Sequence, residues 1–382
     1  MARVLHFYKT ALPDTVGGTE QVINQLAQTS SRHGFDATVL ALTRRAAADI
    51  VRYEGYDVHR VPLDVELAST GFSLAVVRHF RELADAADLV HYHFPWPFMD
   101  MVHFLVRTGK PSLVTYHSDI VRQRALLHLY RPLQTRFLAS VDRVVATSPN
   151  YLATSKVLRK LGDKVAVVPI GIDRPDTLRP DTAGPDAACL ASWRQRLGER
   201  FFLFCGVFRY YKGLHILLDA AVGADYPIVL IGAGPIEAAL RAQAARLGLG
   251  NVHFLGHLPE MDKLALLTLC HGVVFPSHLR AEAFGVSLLE GAMYGKPMIS
   301  SEIGTGTTFV NIHGETGLVV PPGDPTALRA AMDWLWNDPA LAGAMGGRAA
   351  ARHQALFTGE RMTAAYAGLY RELLDRKAGG QS

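Results

Sequence analysis

Residues 272–297, GVVFPSHLRAEAFGVSLLEGAMYGKP, join an apolar run to an apolar helix through a polar loop. The opening run, residues 273–275, is typical of a short buried strand. A helix is expected to begin near Gly285 and to end before the Gly-Lys-Pro that closes the stretch. Glu282 therefore lies in the loop that leads to the helix, and Glu290 lies in its second turn. The two carboxylates flank a helix N-terminus and do not share one helix face.

This arrangement suits a phosphorylated ligand that carries a sugar at each end. Backbone N–H groups around Phe284, Gly285 and Val286, with the helix dipole behind them, favour an anion such as a diphosphate. Glu290 is placed to accept hydrogen bonds from a ribose diol, and Glu282 from a hexose. The alternative is a salt-bridged loop glutamate and an exposed helical one. We disfavour it for Glu290, because a carboxylate among apolar residues requires a ligand or a basic partner.

The composition indicates a two-domain globular protein. The chain has 382 residues, 49% of them hydrophobic, which is enough for two domains of ordinary size. Its three cysteines are far apart and indicate neither a disulfide framework nor a metal cluster. Neither a signal peptide nor a stretch of about 18 apolar residues is found. The net charge of +4 is too small to indicate nucleic acid, and we expect a cytoplasmic protein.

Strands alternate with helices in the first part of the chain, which predicts a mostly parallel, doubly wound sheet. Strands are predicted at residues 4–8, 37–42, 58–61, 89–93, 112–116, 144–146 and 165–168. Such sheets bind ligands beyond the carboxyl ends of their strands. Gly17 and Gly18 lie in a strand-to-helix loop, and His117 directly follows a strand. Phosphate-loop geometry and an ordinary turn both remain open for the two glycines.

His91 and His93 lie two residues apart at the end of a predicted strand and could share a face for a metal ion. No carboxylate or cysteine follows at ligand spacing, and no Asp-x-Asp motif is found. We therefore favour a packed strand end or a wall of the acceptor site over a metal site.

Residues 120–141 contain four arginines and no acid, interleaved with apolar residues; the arginines are Arg122, Arg124, Arg131 and Arg136. One interpretation is a basic amphipathic surface for an anionic membrane or a lipid-linked diphosphate. The other is a core helix with a solvated arginine face. The first predicts peripheral contact with the inner face of the cytoplasmic membrane.

The second part of the chain repeats the strand–helix alternation after a Pro-, Asp- and Ala-rich link. Arg209 and Lys212 follow the predicted strand at 201–205, where two cations are suited to hold a diphosphate. Gly232 and Gly234 follow a later strand, but they lack the third glycine of a dinucleotide fingerprint.

The Glu-x7-Glu pattern within EAFGVSLLE resembles the signature of family 4 retaining glycosyltransferases, which have the GT-B fold. The resemblance covers most of the chain. RYYKG at 209–213 and EIGTG at 302–306 are similar to the branch of bacterial O-antigen and surface-polysaccharide mannosyltransferases. The resemblance implies two Rossmann-like, doubly wound α/β domains facing across a cleft. These are an acceptor-side domain at 1–172 and a nucleotide-sugar domain at 173–358, with a C-terminal helix at 359–382 that crosses back to the first.

The resemblance also implies a metal-independent, retaining transfer of mannose or D-rhamnose. The donor would be GDP-mannose or GDP-rhamnose, no other cofactor is expected, and the acceptor would be a lipid-linked polysaccharide or a lipopolysaccharide. Glu282 and His117 would contact the hexose at the reaction centre. The resemblance assigns to the donor site Gly17, Gly18, Arg209, Lys212, Phe284, Gly285, Val286 and Glu290. Many family members carry arginine where this chain has Val207, so Arg209 is the candidate here.

Two other functions remain open at this point. A nucleotide-sugar epimerase can share the GT-B architecture and needs no acceptor. A non-catalytic nucleotide-sugar-binding protein would keep the site without turnover. A nicotinamide oxidoreductase is less favoured, because neither glycine-rich loop fits the dinucleotide pattern.

Overall fold

The computed structural model describes residues 1–67, 70–120, 124–174 and 184–379, with the backbone alone at 124–126. The chain divides into two compact units. One comprises Met1–Gly171 and Gly359–Ser382, and the other comprises Ile172–Thr358. Each unit is an α/β structure built on a largely parallel sheet, as the alternation of strands and helices predicts.

The first unit contains ten strands among its described residues. They are β1 (Ala2–Phe7), β2 (Phe35–Thr43), β3 (Asp49–Tyr53), β4 (Tyr56–Pro62), β5 (Val65–Leu67), β6 (Thr70–Phe72), β7 (Leu89–Phe94), β8 (Ser112–Tyr116), β9 (Arg143–Ala146) and β10 (Val165–Val167). Eight of these described strands form one sheet in the order β10-β9-β8-β7-β1-β2-β4-β3, and β5 pairs with β6. Only β3 runs antiparallel in the large sheet. The sequence did not predict β3, β5 or β6, since their residues are mostly half-buried or exposed and lack a buried apolar run.

Helices connect the parallel strands of the first unit. They are α1 (Gly18–Thr29), α2 (Leu74–Ala86), α3 (Pro97–Val106), α4 (Arg124–Ser140) and α5 (Pro149–Thr154). The central strands β7 and β8 are buried at every residue, as is usual for a parallel sheet covered on both faces.

The second unit has a six-stranded sheet in its described part, all parallel, in the order β13-β12-β11-β14-β15-β16. Its strands are β11 (Phe202–Cys205), β12 (Ile228–Ile231), β13 (Val252–Gly256), β14 (Gly272–Phe275), β15 (Met298–Ser301) and β16 (Gly317–Val320). Its helices are α6 (Ala187–Leu197), α7 (Leu214–Ala220), α8 (Glu237–Arg246), α9 (Glu260–Leu269), α10 (Val286–Met293), α11 (Thr307–Val310), α12 (Pro325–Asn337) and α13 (Pro339–Leu356). The predicted strand, loop and helix over 272–297 are confirmed.

The last helix, α14 (Gly359–Gly379), belongs to the first unit. It packs on α1, where the Thr29 and Thr363 hydroxyl oxygens lie 2.6 Å apart in a buried hydrogen bond. Arg143 at the start of β9 donates from Nη2 to Glu372 Oε1 at 2.6 Å. None of the helices that the structure describes combines the length and apolar character needed to span a bilayer.

Each sheet has one point where the chain order reverses. In the first sheet β1 lies between β2 and β7, and in the second β11 lies between β12 and β14. At such a point the connections leave in opposite directions and open a crevice at the carboxyl ends of the two strands. The loops after β1 and β7, and those after β11 and β14, are therefore the places in each unit where a ligand is expected.

Two neighbouring glycines of α13 provide a matched test of the packing. A Cβ atom on Gly346 would lie 2.0 Å from the carbonyl oxygen of Gly295, whereas one on Gly347 would meet no atom within 4 Å. We expect Gly347→Ala to raise the free energy of unfolding by about 0.8–1.0 kcal/mol through helix propensity. Gly346→Ala should lower it by about 1–3 kcal/mol through overpacking. Urea unfolding of both variants is the measurement, and equal stability of the two would contradict this packing.

Candidate active site

The carboxyl ends of β11 and β14 bring together the two predicted loops of the second unit. The loop after β11 carries Lys212, and the loop after β14 carries Glu282. The loops touch closely, because a Cβ atom on Gly213 would lie 1.9 Å from the carbonyl oxygen of Pro276. Gly213 also has a φ of +70°, where a side chain is strained. This glycine therefore permits the approach that places the lysine beside the carboxylate.

Helix α10 begins directly at this crevice. Gly285 precedes it with a φ of +91°, and Val286 is its first residue. The first amides of a helix have no intrahelical acceptor and carry the positive end of the dipole. Ser287 donates from Oγ to the carbonyl oxygen of Cys205 at 2.7 Å, which holds the first turn of α10 against the end of β11. Phe284 is buried and contributes its backbone to this turn.

Lys212 and Glu282 form a buried ion pair between Nζ and Oε2, with side chains 12% and 11% exposed. Lys212 Nζ also lies 4.5 Å from the centroid of the Phe275 ring, and the Ser277 hydroxyl donates to Glu282 Oε2 at 3.4 Å. Burial is the largest single effect and lowers the pKa of Lys212, but Glu282, Tyr211 and Cys205 together raise it more, so the net pKa lies above the usual value. The lysine is therefore a cation at neutral pH.

Glu290 has a basic partner that sequence reasoning missed. Lys263 of α9 donates from Nζ to Glu290 Oε1, and the carboxylate side chain is only 9% exposed. Burial is the largest single effect and lowers the pKa of Lys263, but Glu290, Cys205 and Glu260 together raise it more, so the net pKa lies well above the usual value. The apolar sequence around Glu290 indicated that a ligand or a cation was required. Because Lys263 lies on α9 and Glu290 on α10, spacing along the chain did not identify Lys263 as that cation.

Arg209 is exposed and lies just before a 3-10 turn, Tyr210–Lys212. The Lys212 amide donates to the Arg209 carbonyl oxygen at 3.0 Å, so the two cations flank one short turn. The structure thus places Lys212 in the buried pair and leaves the guanidinium of Arg209 on the surface.

Gly17 and Gly18 lie where the sequence placed them, between β1 and α1. Gly17 is extended, with φ −166°, and Gly18 begins the helix. The Glu20 carboxylate folds back over this N-terminus, because a Cβ atom on Gly17 would lie 2.6 Å from Glu20 Oε2. The Thr15 hydroxyl donates to the same carboxylate, 3.4 Å from Oε1. An anion at this N-terminus would have to displace Glu20, since like charges repel.

His117 directly follows β8 and is anchored by its amide, which donates to the Phe94 carbonyl oxygen at 2.9 Å. Its side chain is buried. Burial lowers the pKa of His117 to about 3, so the imidazole is neutral at pH 7. Its Nε2 lies 3.0 Å from Nδ1 of His93, which makes it part of a histidine cluster on one face of the sheet.

His6, His91 and His93 lie close enough to be considered as metal ligands, with ligand atoms within 4.8 Å of one another. Both nitrogens of His91 are already engaged, each 2.7 Å from a hydroxyl oxygen, that of Tyr370 and that of Thr115. The absence of a metal site remains a prediction.

Part of the arginine-rich segment at 120–141 forms helix α4. Arg122 lies outside the described residues, and so does the side chain of Arg124. Arg131 and Arg136 are exposed, whereas the apolar Phe137 and Leu138 are buried. Leu129 is 82% exposed, so it does not belong to the buried apolar face that a core helix would require of it.

The protein has two Rossmann-like units, each built on a largely parallel sheet. One unit has a helix N-terminus that lies between two lysine–carboxylate pairs. Together these features define a glycosyltransferase of the GT-B fold. Residues 16–174 match the family described as Glycosyltransferase Family 4, and residues 190–352 match Glycosyl transferases group 1. The chain belongs to glycosyltransferase family 4. The predicted family, fold and glycosyltransferase activity are confirmed.

Two similar proteins support this family assignment, and one solved structure supports the fold. The D-rhamnosyltransferase WbpZ of Pseudomonas aeruginosa is 62% identical over 356 residues, which cover 93% of this chain and 92% of that protein. The O-antigen chain mannosyltransferase C of Escherichia coli is 49% identical over 376 residues, 98% of this chain and 100% of that protein. Among solved structures, a sucrose-phosphate synthase from Thermosynechococcus elongatus has a TM-score of 0.82. Its identity is 22%, and the match covers 98% of this chain and 100% of that one.

The two carboxylates are expected to differ in their kinetic roles. Glu282→Gln should lower kcat and Glu290→Gln should raise the KM for the sugar donor. Each effect should be roughly ten- to a hundredfold, because a hydrogen bond to a charged group contributes about 1.5–3 kcal/mol. Steady-state kinetics with Glu260→Gln as control is the measurement, since Glu260 is an exposed acid on α9.

Each glutamine variant leaves a buried lysine without its carboxylate, so circular dichroism must show that the fold is retained. Unchanged kinetics in a folded Glu282→Gln protein would remove that residue from the site.

Proposed function

We propose that the protein is a retaining hexosyltransferase that moves mannose or D-rhamnose from a GDP-sugar to a growing O-antigen or related surface polysaccharide. The observation that carries the sugar class is the similarity over nearly the whole chain to a D-rhamnosyltransferase and an O-antigen mannosyltransferase. The α10 N-terminus beside Lys212 is suited to the other half of the donor, a diphosphate.

The diphosphate is the group that leaves, and the site supplies positive charge to it. The first amides of α10 and the ammonium group of Lys212 are held in place before the reaction, so they stabilise developing charge without reorganisation. Lys212 then shares its charge between Glu282 and the phosphate oxygens. The Glu282 carboxylate, partly released, accepts hydrogen bonds from hexose hydroxyls.

Glu290 accepts the ribose hydroxyls in this proposal. Lys263 orients that carboxylate, because its ammonium group donates to Oε1 and leaves the other oxygen for the diol. One oxygen that accepts from two vicinal hydroxyls favours a ribonucleotide over a compound without them.

The reaction forms a bond from the acceptor hydroxyl oxygen to the anomeric carbon and breaks the bond from that carbon to the diphosphate oxygen. The hydroxyl proton passes to the departing phosphate. Attack on the face from which the diphosphate leaves retains the α configuration of the donor. Lys212, with Arg209 beside it, takes the place that a divalent cation has in other sugar transferases, so no metal is required.

A nucleotide panel tests the donor. Thermal shift with GDP, UDP, ADP and dTDP should show stabilisation by GDP, since a ligand at a hundred times its Kd adds about 2.7 kcal/mol. The same shift and the same transfer rate from GDP-mannose or GDP-rhamnose are expected in excess EDTA.

Stabilisation by UDP and not by GDP would overturn the base assignment. Loss of activity with EDTA and recovery with Mg²⁺ would reveal a metal requirement. A β-linked product would exclude retention.

We also propose that the first unit touches an anionic membrane on its cytoplasmic side, where a lipid-linked acceptor is presented. Helix α4 exposes Leu129, Arg131 and Arg136. Helix α3 packs on it and exposes Met101 and Leu105. Exposed apolar side chains beside arginines suit the boundary between headgroups and acyl chains.

Liposome sedimentation tests the membrane proposal. Binding to anionic vesicles should exceed binding to neutral ones and should fall as salt is added, since exposed charges are screened over about 8 Å at physiological ionic strength. Arg131→Glu combined with Arg136→Glu should weaken it by roughly thirtyfold, because each basic residue near the surface contributes about 1 kcal/mol. Arg81→Glu, an exposed arginine of α2, is the matched control. Equal sedimentation with both vesicle types would contradict the proposal.

A further inference from the structure

Four histidines lie on one face of the first sheet near its order-reversal point. His6 of β1 is the register partner of His91 of β7, and His93 is the partner of Thr115 of β8. Side chains alternate along a strand, so residues two apart share a face. His93 therefore follows His91 on this face, and His117 follows Thr115. The four histidines therefore extend from the middle of the sheet to its carboxyl edge.

Three of these rings form a hydrogen-bonded chain. His6 Nδ1 lies 3.0 Å from His93 Nε2, and His93 Nδ1 lies 3.0 Å from His117 Nε2. The side chains of His6 and His93 are fully buried, and burial lowers the pKa of His6 to about 3 and that of His93 well below the usual value. All three imidazoles are therefore neutral at pH 7, and each carries one N–H.

Neutral imidazoles in such a chain cannot choose their tautomers independently. Each N–H···N hydrogen bond needs one donor and one acceptor, and each ring has one of each. The protons are therefore either all on Nδ1 or all on Nε2. In the first arrangement His6 donates to His93, His93 donates to His117, and His117 keeps its own proton on Nδ1. In the second, every hydrogen bond is reversed and His117 Nδ1 is an acceptor.

The inner end of the chain distinguishes the two arrangements. His6 Nε2 is buried and has no hydrogen-bond partner among the described residues. With all protons on Nε2, His6 would leave an N–H group unpaired in the core. With all protons on Nδ1, it leaves only a lone pair. Buried N–H groups without an acceptor are rarer in proteins than acceptors without a donor, so the Nδ1 arrangement is favoured.

We propose that His6 and His93 are positioning residues that lock His117 in its Nδ1–H tautomer, so that it presents a hydrogen-bond donor to a sugar hydroxyl oxygen at the carboxyl edge of the first sheet. This proposal rests on the proposed sugar transfer. His93 acts on the substrate only through His117, and His6 only through His93. A tautomer fixed before binding spares the complex a proton rearrangement, which is the benefit of preorganisation.

The surroundings hold the rings in place without adding a charge to the chain. His91 is tied to the hydroxyls of Tyr370 and Thr115 at 2.7 Å each. The Tyr8 ring lies 6.2 Å from that of His93 and 6.4 Å from that of His117, centroid to centroid. His91 also stacks on His93, with ring centroids 4.2 Å apart, so it supports the chain of three from the side. His103 of α3 is the matched control, because it is a half-buried histidine of the same unit whose ring nitrogens lie 2.9 Å from the Tyr92 and Ser140 hydroxyl oxygens, outside the chain of three.

The direct test is ¹⁵N NMR of the full-length protein with labelled histidine. We expect His117 to show a protonated Nδ1 and an unprotonated Nε2 at pH 7, with and without GDP. A protonated Nε2, or an average of the two forms, would overturn the proposal. This readout needs no turnover, so it can fail while sugar transfer succeeds, and the reverse also holds.

Variants then test the consequence for the reaction. His93→Leu removes the partner of His117 Nε2 and should lower kcat by about tenfold, the effect of roughly 1.4 kcal/mol at the transition state, with GDP affinity unchanged. His93→Gln, whose amide can donate to His117 Nε2, should recover most of the loss and the Nδ1–H signature. His103→Gln should leave both the kcat and the His117 signature as in the wild type. An equal loss of kcat in His93→Gln and His93→Leu would reduce His93 to a packing residue.

Discussion

Parallel strand connection is the constraint on which the rest of this molecule depends. When every strand enters a sheet in the same direction, all carboxyl ends meet at one edge, and every loop that follows a strand must lie there. In each unit the first strand is inserted between strands reached by opposite routes. The loops on either side of that point are then brought together although they are far apart in sequence. Lys212 and Glu282 meet in this way, whereas His6 and His93 meet because their strands β1 and β7 are paired at the same point.

Two buried lysine–glutamate pairs follow from this arrangement in the second unit. Removing an ammonium group and a carboxylate from water costs several kcal/mol per ion, so neither charge could remain there alone. Pairing compensates each buried charge with one of opposite sign. Such pairs seldom contribute net stability, and in the proposed function their position serves ligand binding. There a diphosphate shares Lys212 with Glu282, and a ribose uses the carboxylate oxygen that Lys263 leaves.

On one face of the first sheet the buried polar groups are neutral side chains. Burial lowers the pKa of His6, His91, His93 and His117. These rings bond to one another or to nearby hydroxyls, with Thr115 bonded to both His91 and Tyr366 at 2.7 Å. Tyr366 and Tyr370 come from α14, so the last helix of the chain completes this polar layer. A network of this kind specifies a single arrangement, because a rotated ring would lose one of its buried hydrogen bonds.

The sequence alone determined the strand–helix alternation, the parallel sheets and the strand, loop and helix around Glu282 and Glu290. Periodicity, glycine and proline are local signals, and they suffice for elements whose apolar runs are buried. They did not reveal β3 or the β5–β6 pair, whose half-exposed residues carry little pattern. Only the tertiary structure decided that Lys263 faces Glu290, that Lys212 is paired with Glu282 while Arg209 is exposed, and that Glu20 covers Gly17. Which charge compensates which depends on how distant segments approach one another in space, and no spacing along the chain records that approach.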